Sequence, residues 1–540
     1  MAARHEGRAG VNNDRIDAAL ENIDSVGGTG EKLRILREYS LLEEPRVAVS
    51  IVEDEDGRRF YNVFEPKLSD IGRRILDRLR SKIIGDLRLL KLFSELTDLG
   101  EGLREAYRLA RRLVMWHRKE LRKLRRDPEQ EALGVAYYIA RDLVGYGRID
   151  PLIRDPYIED ISCNGLLSPV FVYHTEFEWL TTGITFESTE ELEHVVMKLA
   201  LRSGQEPSLA RPVVEGVLKP EGYRVHIVLD VVSRRGHSFT VRKFRAEPFT
   251  ITELIRRGTL DPGVAAMLWA AIQYKQGVII YGPIGAGKTT LLNALAMLLP
   301  PEYKVVTIED TPEISIPFHD NWTAMHTRLS DQPGVQNITL QAQVESALRM
   351  RPDVIILGEI RSREAYAFFQ ALATGHGGIT TVHAESADVL IRRLASPPMN
   401  VPKSIIAAAK LYVHMLRIER RGHVYRKVIK VDEARDYDPV RDEVEIGRLI
   451  VWDSHNDVWR LVVEESSFVN AIADLLLAKP SEVWKDIEMR ATVLKWAAER
   501  GADVLELHEI VRRYMREPEK VYVEALSETK PYTFAAGLGV

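Results

Sequence analysis

A single cysteine, Cys163, stands in 540 residues. Neither an internal disulfide nor a four-cysteine zinc site can therefore be built from this chain, and Cys163 reads as a small packed residue. There is no run of about 18 apolar residues, hence no spanning helix. The richest stretch, Ile405 to Leu416, is interrupted by Lys410 and His414. Nor does one sign of charge dominate: 74 Lys and Arg stand against 79 Asp and Glu, a formal net charge of -5. No global basic field points to a nucleic-acid partner. The first thirty residues are polar and have no apolar segment of the kind a signal peptide needs. The expectation is a cytoplasmic protein, unless a partner holds it at a membrane.

What is present is a globular composition, with 45% apolar and 28% charged residues. The length predicts roughly three to four domains. Residues 1–30 read as a flexible tail and 31–130 as a hairpin followed by a helical region. In the latter, Val47 to Val52 and Phe60 to Phe64 flank Asp56-Gly57, a hairpin signal. Leu103, Tyr107, Ala110, Val114, His117, Leu121 and Leu124 then recur at three- or four-residue steps on one helical face. Arg104, Arg108, Arg111, Arg112, Arg118, Lys119, Arg122, Lys123, Arg125 and Arg126 occupy the other faces. Such a surface either binds acidic lipid or a partner, or is a solvated face paired with acidic neighbours.

Residues 131–247 have α/β texture, with strands expected at Val170 to Tyr173, Arg224 to Val232 and Ser238 to Phe244. A helix is expected after Ser188. The polar joint beginning at Arg245 and containing Pro248 marks the main boundary, with a linker at 248–255. Apolar strands alternate with helical segments over 256–435, the pattern of a parallel sheet flanked by helices. Residues 436–540 form a C-terminal extension in which no chemistry is legible.

The strongest local signal lies in 277–299. Gly277 to Tyr281 is a short apolar strand. Gly282, Pro283, Ile284, Gly285, Ala286, Gly287, Lys288 and Thr289 follow at once, and Thr290 opens a helical run. This is a phosphate-binding loop in the strand–loop–helix setting that gives it meaning. Its glycines let backbone N–H groups curl round a phosphate, and the helix N-terminus adds its positive end. Lys288 is expected to reach the β- and γ-phosphates, and the Thr289 hydroxyl to ligate Mg²⁺.

Two later strands end in acid. Val305 to Ile308 leads into Glu309, Asp310 and Glu313, and Asp353 to Leu357 into Gly358, Glu359 and Arg361. Acidic groups at strand ends near a phosphate loop can divide two tasks, holding the metal and polarising the attacking water. The acid usual at the Walker B position is here Gly358, with the carboxylate one place later. Glu309 and Asp310 are further metal candidates. No guanine-reading Asn-Lys-x-Asp motif occurs, which favours ATP over GTP. His376 and His383 flank a Gly-rich turn and a strand. They could be a metal pair, but only Glu385 is a nearby third ligand. Contact with the γ-phosphate is the better reading.

Together these blocks resemble the secretion ATPase superfamily of type II and type IV secretion, type IV pili and archaella. The resemblance covers roughly 58–435, more weakly to the end. It rests on the phosphate loop, the aspartate box Thr307 to Glu313, the atypical Walker B stretch Arg351 to Arg361, and the histidine box Thr374 to Ala384. Asp310 to Glu313 followed by Asn321-Trp322, and Tyr61 to Pro66, are similar to archaeal members. Ser362 departs from the usual glycine, and the tetracysteine insert of bacterial members is absent.

The resemblance implies an α/β chain with a RecA-like P-loop domain, preceded by a PAS-like α+β lobe and a mainly helical N-terminal region. It implies a homo-hexamer with ATP and Mg²⁺ between the lobes, working on a polytopic membrane platform protein at the cytoplasmic face of the membrane. Glu313 would be the general base and Glu359 would hold Mg²⁺ through its water shell. His376 and His383 would lie near the phosphates. Arg224 and Arg242, with Arg211 less supported, would neutralise charge on the γ-phosphate. No nucleic-acid partner is expected. The competing readings are a nucleic-acid-translocating ATPase of the conjugation or RecA type, and a scaffold that binds ATP without hydrolysing it.

Overall fold

The computed structural model describes residues 33–536 apart from 244–247, 329–333, 335, 421–422 and 463–464. The expected tail at 1–30 and part of the polar joint at 245 lie outside the described residues. The chain divides into two compact units, 1–245 and 246–540.

The first unit carries a nine-stranded sheet. Its strands are β1 (Arg34–Leu42), β2 (Val47–Glu53), β3 (Arg59–Phe64), β4 (Ile158–Cys163), β5 (Pro169–His174), β6 (Glu178–Thr185), β7 (Val213–Val217), β8 (Arg224–Val228) and β9 (Ser238–Arg242). They run in the order β1-β2-β3-β6-β5-β4-β9-β8-β7. Among these described strands only β3 and β6 pair in parallel. The expected hairpin is β2–β3, and Gly57 turns it with φ 78, donating its N–H to the Asp54 carbonyl at 3.1 Å. β1, which the alternation in Arg34–Leu42 is too weak to announce, adds a third strand to that hairpin. The helix Thr189–Arg202 starts where Ser188 accepts the Glu191 N–H, as the capping pattern leads one to expect.

The helices Asp70–Gly85, Leu87–Glu95, Leu99–Trp116 and Pro128–Leu143 build a second core of this unit, from Ile75, Leu79, Ala110, Val114, Val135 and Ile139 among others. The long basic stretch is not one helix. It breaks at His117, and the short helix Arg118–Lys123 follows. Ala110, Val114 and Leu121 of the expected face are buried, whereas Leu124 is exposed. Several of its arginines are paired, Arg108 with Glu105 at 2.6 Å and Arg111 with Glu129 at 2.8 Å.

The second unit holds a ten-stranded sheet. Its strands are β10 (Gly277–Gly282), β11 (Val305–Glu309), β12 (Trp322–His326), β13 (Val354–Leu357), β14 (Gly377–His383), β15 (Ala409–Arg420), β16 (His423–Asp438), β17 (Glu443–Asp453), β18 (Val458–Leu461) and β19 (Ala535–Ala536). The order is β12-β11-β13-β14-β10-β15-β16-β17-β18-β19. From β12 to β15 every neighbour is parallel. β14 separates the phosphate-loop strand β10 from the Walker B strand β13, which is the RecA-like arrangement.

β10 and β11 are buried along their whole length, as strands covered on both faces must be. The region after 435 continues this sheet antiparallel through β16, β17 and β18. Its helices Pro480–Glu499 and Val504–Arg516 pack on the helix Pro262–Gln273. There the buried Arg490 guanidinium lies 4.6 Å from the Trp269 ring centre, and its Nε donates to Asp486 at 2.7 Å.

Candidate nucleotide-binding site

The site lies at the C-terminal end of the parallel strands, where chains leaving β10, β11, β13 and β14 converge. The helix Lys288–Ala296 begins directly after the loop, and its cap, Gly287, has φ 90 and offers no side chain of its own. With Gly285 also at φ 74, the loop follows a path open to glycine and strained for other residues. A Cβ at position 282 would meet the Met415 carbonyl oxygen at 2.2 Å. The first-turn N–H groups of that helix, with no capping side chain over them, form an anion-binding end.

Lys288 is buried at this end, and its Nζ donates to the carbonyls of Gly282 at 3.1 Å and Pro283 at 2.9 Å. Burial pushes its ammonium down to about 8, with Glu359 opposing. Thr289 and Thr290 are half-buried beside it. His383, the last residue of β14, is the register partner of Gly282. Its Nδ1 lies 3.2 Å from Lys288 Nζ and its Nε2 lies 3.2 Å from Glu359 Oε1. Burial and the Lys288 charge hold this imidazole below its usual range, so it is neutral at pH 7. Glu359 Oε2 in turn accepts from Arg361 Nη2 at 2.7 Å. A lysine, a histidine, a glutamate and an arginine thus form one chain of contacts.

The aspartate box is organised around Glu309, which is 5% exposed. Its Oε1 accepts the N–H groups of Glu313 at 2.8 Å and Ile314 at 3.1 Å. Here the Walker B glycine finds its reason. A Cβ at position 358 would come 3.2 Å from Glu309 Cγ, so the small residue leaves room for the acid of the adjacent strand. Through these two backbone hydrogen bonds Glu309 orients the loop that carries Glu313. Asp310 is exposed. Asn293, a polar side chain on an otherwise apolar helix face, reinforces the loop from below; that polarity is the signal in the sequence that would have found it. Its amide donates to the Glu313 carbonyl at 3.3 Å and accepts the Ser315 N–H at 3.2 Å. Glu313 itself is half-buried.

His376 immediately precedes β14 and His383 ends it. Seven residues of extended chain span roughly 20 Å, so within one subunit His376 is at the opposite end of the strand from the phosphate loop. Its Nδ1 contacts the Ala371 carbonyl at 3.2 Å and the Thr374 hydroxyl at 3.2 Å. The same distance prevents the two histidines from sharing an ion. Arg224 and Arg242 belong to the first unit, where they are register partners across β8 and β9. Arg242 Nε lies 4.0 Å from Asp160 Oδ1. Arg211 is exposed and pairs with Ser208 in an isolated bridge.

Residues 219–441 match the family model described as type II/IV secretion system protein. An uncharacterized protein of Methanocaldococcus jannaschii is 37% identical over 366 residues, which are 66% of this chain and 65% of that relative, just under two thirds of its length. A putative conjugal transfer protein of Mycobacterium tuberculosis is 31% identical over 373 residues, 65% of this chain and 99% of that protein. Among solved structures, the VirB11 ATPase of the Brucella suis type IV secretion system is 27% identical over 49% of this chain and 89% of its own, with a TM-score of 0.24. The phosphate loop, the glutamate beside a glycine at the Walker B position and a relative matched almost end to end lead to one conclusion: the chain belongs to the type II/IV secretion system protein family.

Proposed function

We propose that the chain is an ATPase motor that assembles as a homo-hexamer and hydrolyses ATP to drive secretion, or assembly of a type IV pilus-like or archaellum filament. The observation that carries this reading is the unbroken contact chain Lys288–His383–Glu359–Arg361 beside a Glu313 whose backbone is fixed by Glu309. Phosphoryl transfer to water asks for little beyond positioning and electrostatic stabilisation. Lys288 and the loop N–H groups would take the β- and γ-phosphates. Glu313, half-buried at the strand end, would orient and deprotonate the water. His383, neutral and linked to both Lys288 and Glu359, would register whether a γ-phosphate is present. Thr289, and Glu359 through a water shell, would hold Mg²⁺, which would supply charge neutralisation at the phosphates. Arg224 and Arg242 would neutralise the remaining charge, from the same subunit or a neighbour.

Motion follows where ATP binds one arrangement of the two units more tightly than another, since only differential affinity moves such an equilibrium. The work would reach a polytopic platform protein at the cytoplasmic face of the membrane, with the basic helical region before residue 127 as a contact surface. No helix among the described residues is long and apolar enough to cross a membrane. The test is Mg²⁺-dependent phosphate release from ATP by wild type and by Lys288→Ala. Release that the substitution abolishes supports the reading; release that survives it places the hydrolysis elsewhere. The conjugal transfer name carried by the M. tuberculosis relative favours one second reading, nucleic-acid translocation. Hydrolysis stimulated by single-stranded DNA and losing that stimulation at high salt would support it.

A further inference from the structure

β13 and β14 bring Glu359 and His383 to one flank of the phosphate loop; the β15–β16 hairpin occupies the other flank of β10. Three loop glycines face this hairpin. Besides the Met415 carbonyl against Gly282, Arg417 Cδ would lie 3.7 Å from a Cβ at position 285, and Arg426 Cδ 3.3 Å from one at 287. Arg426 Nε donates to the Gly285 carbonyl at 3.0 Å. Arg417 and Arg426 are themselves register partners on neighbouring strands.

The direction of a bound nucleotide follows from the other flank. Lys288 and Glu359 fix the terminal-phosphate end toward β13 and β14. The α-phosphate and nucleoside must then leave across the helix N-terminus toward β15 and β16. We propose that Arg417 and Arg426 read this end of the ligand, gripping the α-phosphate and ribose, and so make the site select a nucleotide over a bare polyphosphate. Arg426 has a second task, since it also holds the Gly285 carbonyl and with it the loop. Arg417 is therefore the separable member. The inference rests on the ATP-binding reading above.

Calorimetric titration with two probes, ADP and inorganic pyrophosphate, tests it on wild type, Arg417→Gln and Arg417→Lys. Removing a charge-assisted hydrogen bond at the nucleoside end should weaken ADP by about tenfold, while pyrophosphate stays within about twofold. Arg417→Lys, which keeps the charge but not the planar fork, should fall between. Equal weakening of both probes would mean that Arg417 only supports the loop, and unchanged ADP affinity would mean that it reads nothing. Either result overturns the proposal. A wild type that binds neither probe fails earlier, at the nucleotide-site reading itself.

Discussion

Glu309 accepts the backbone N–H of Glu313 at 2.8 Å, so one acid of the aspartate box fixes where the other stands. The two roles separate by substitution. Glu313→Gln removes the proposed base and should lower kcat by about two to four orders of magnitude, with ADP affinity little changed. Glu309→Ala leaves the N–H groups of Glu313 and Ile314 without their acceptor. It should lower kcat less, by about tenfold to a hundredfold, and also lower the unfolding midpoint. Paired steady-state and thermal-unfolding measurements distinguish the two patterns.

The histidines should differ in the same way. His383 contacts both Lys288 and Glu359, so His383→Ala is expected to lower kcat by at least about tenfold. His376 stands one strand length away. Its substitution should leave ADP affinity of the isolated subunit unchanged within about twofold, as read by titration calorimetry.

In the first unit, the fully buried Asp155 accepts the hydroxyls of Tyr39 and Tyr61, each at 2.5 Å, and the Tyr157 N–H at 2.8 Å. Tyr61→Phe strips one donor from a buried acid. A destabilisation of about 1–3 kcal/mol is expected in denaturant unfolding, with an unchanged denaturant slope.

The same neighbourhood sets a pH dependence. Lys243 is buried, donating to the carbonyls of Leu152 at 3.1 Å and Asp155 at 2.5 Å, and burial pushes its ammonium down to about 7. An unfolded lysine titrates near 10.4. Between these values the unfolded chain binds more protons, so stability should rise as pH goes from about 7 towards about 10. Urea unfolding across that range should show the rise in wild type and a flatter profile in Lys243→Met.

The sequence exposes what is local. Gly282 to Thr289 announces its loop because strand, glycines and helix are contiguous, and Asp56-Gly57 announces its hairpin for the same reason. What stays hidden depends on register between distant segments. Nothing near Gly358 says that Glu309 fills the space beside it, and nothing near Gly285 says that Arg426 arrives 141 positions later. His376 and His383 look close in the sequence, yet a strand carries them to its two ends. The C-terminal helices are silent because their task, burying Arg490 and Tyr514 against Trp269, is packing.

The most direct test of the motor reading is ATP turnover per subunit, measured with Mg²⁺ over a wide range of protein concentration for wild type and Glu313→Gln. An assembling ring with Glu313 as its base should show turnover that climbs with concentration and collapses in the variant. Turnover that is independent of concentration and survives Glu313→Gln would contradict both the assembly and the assignment of the base.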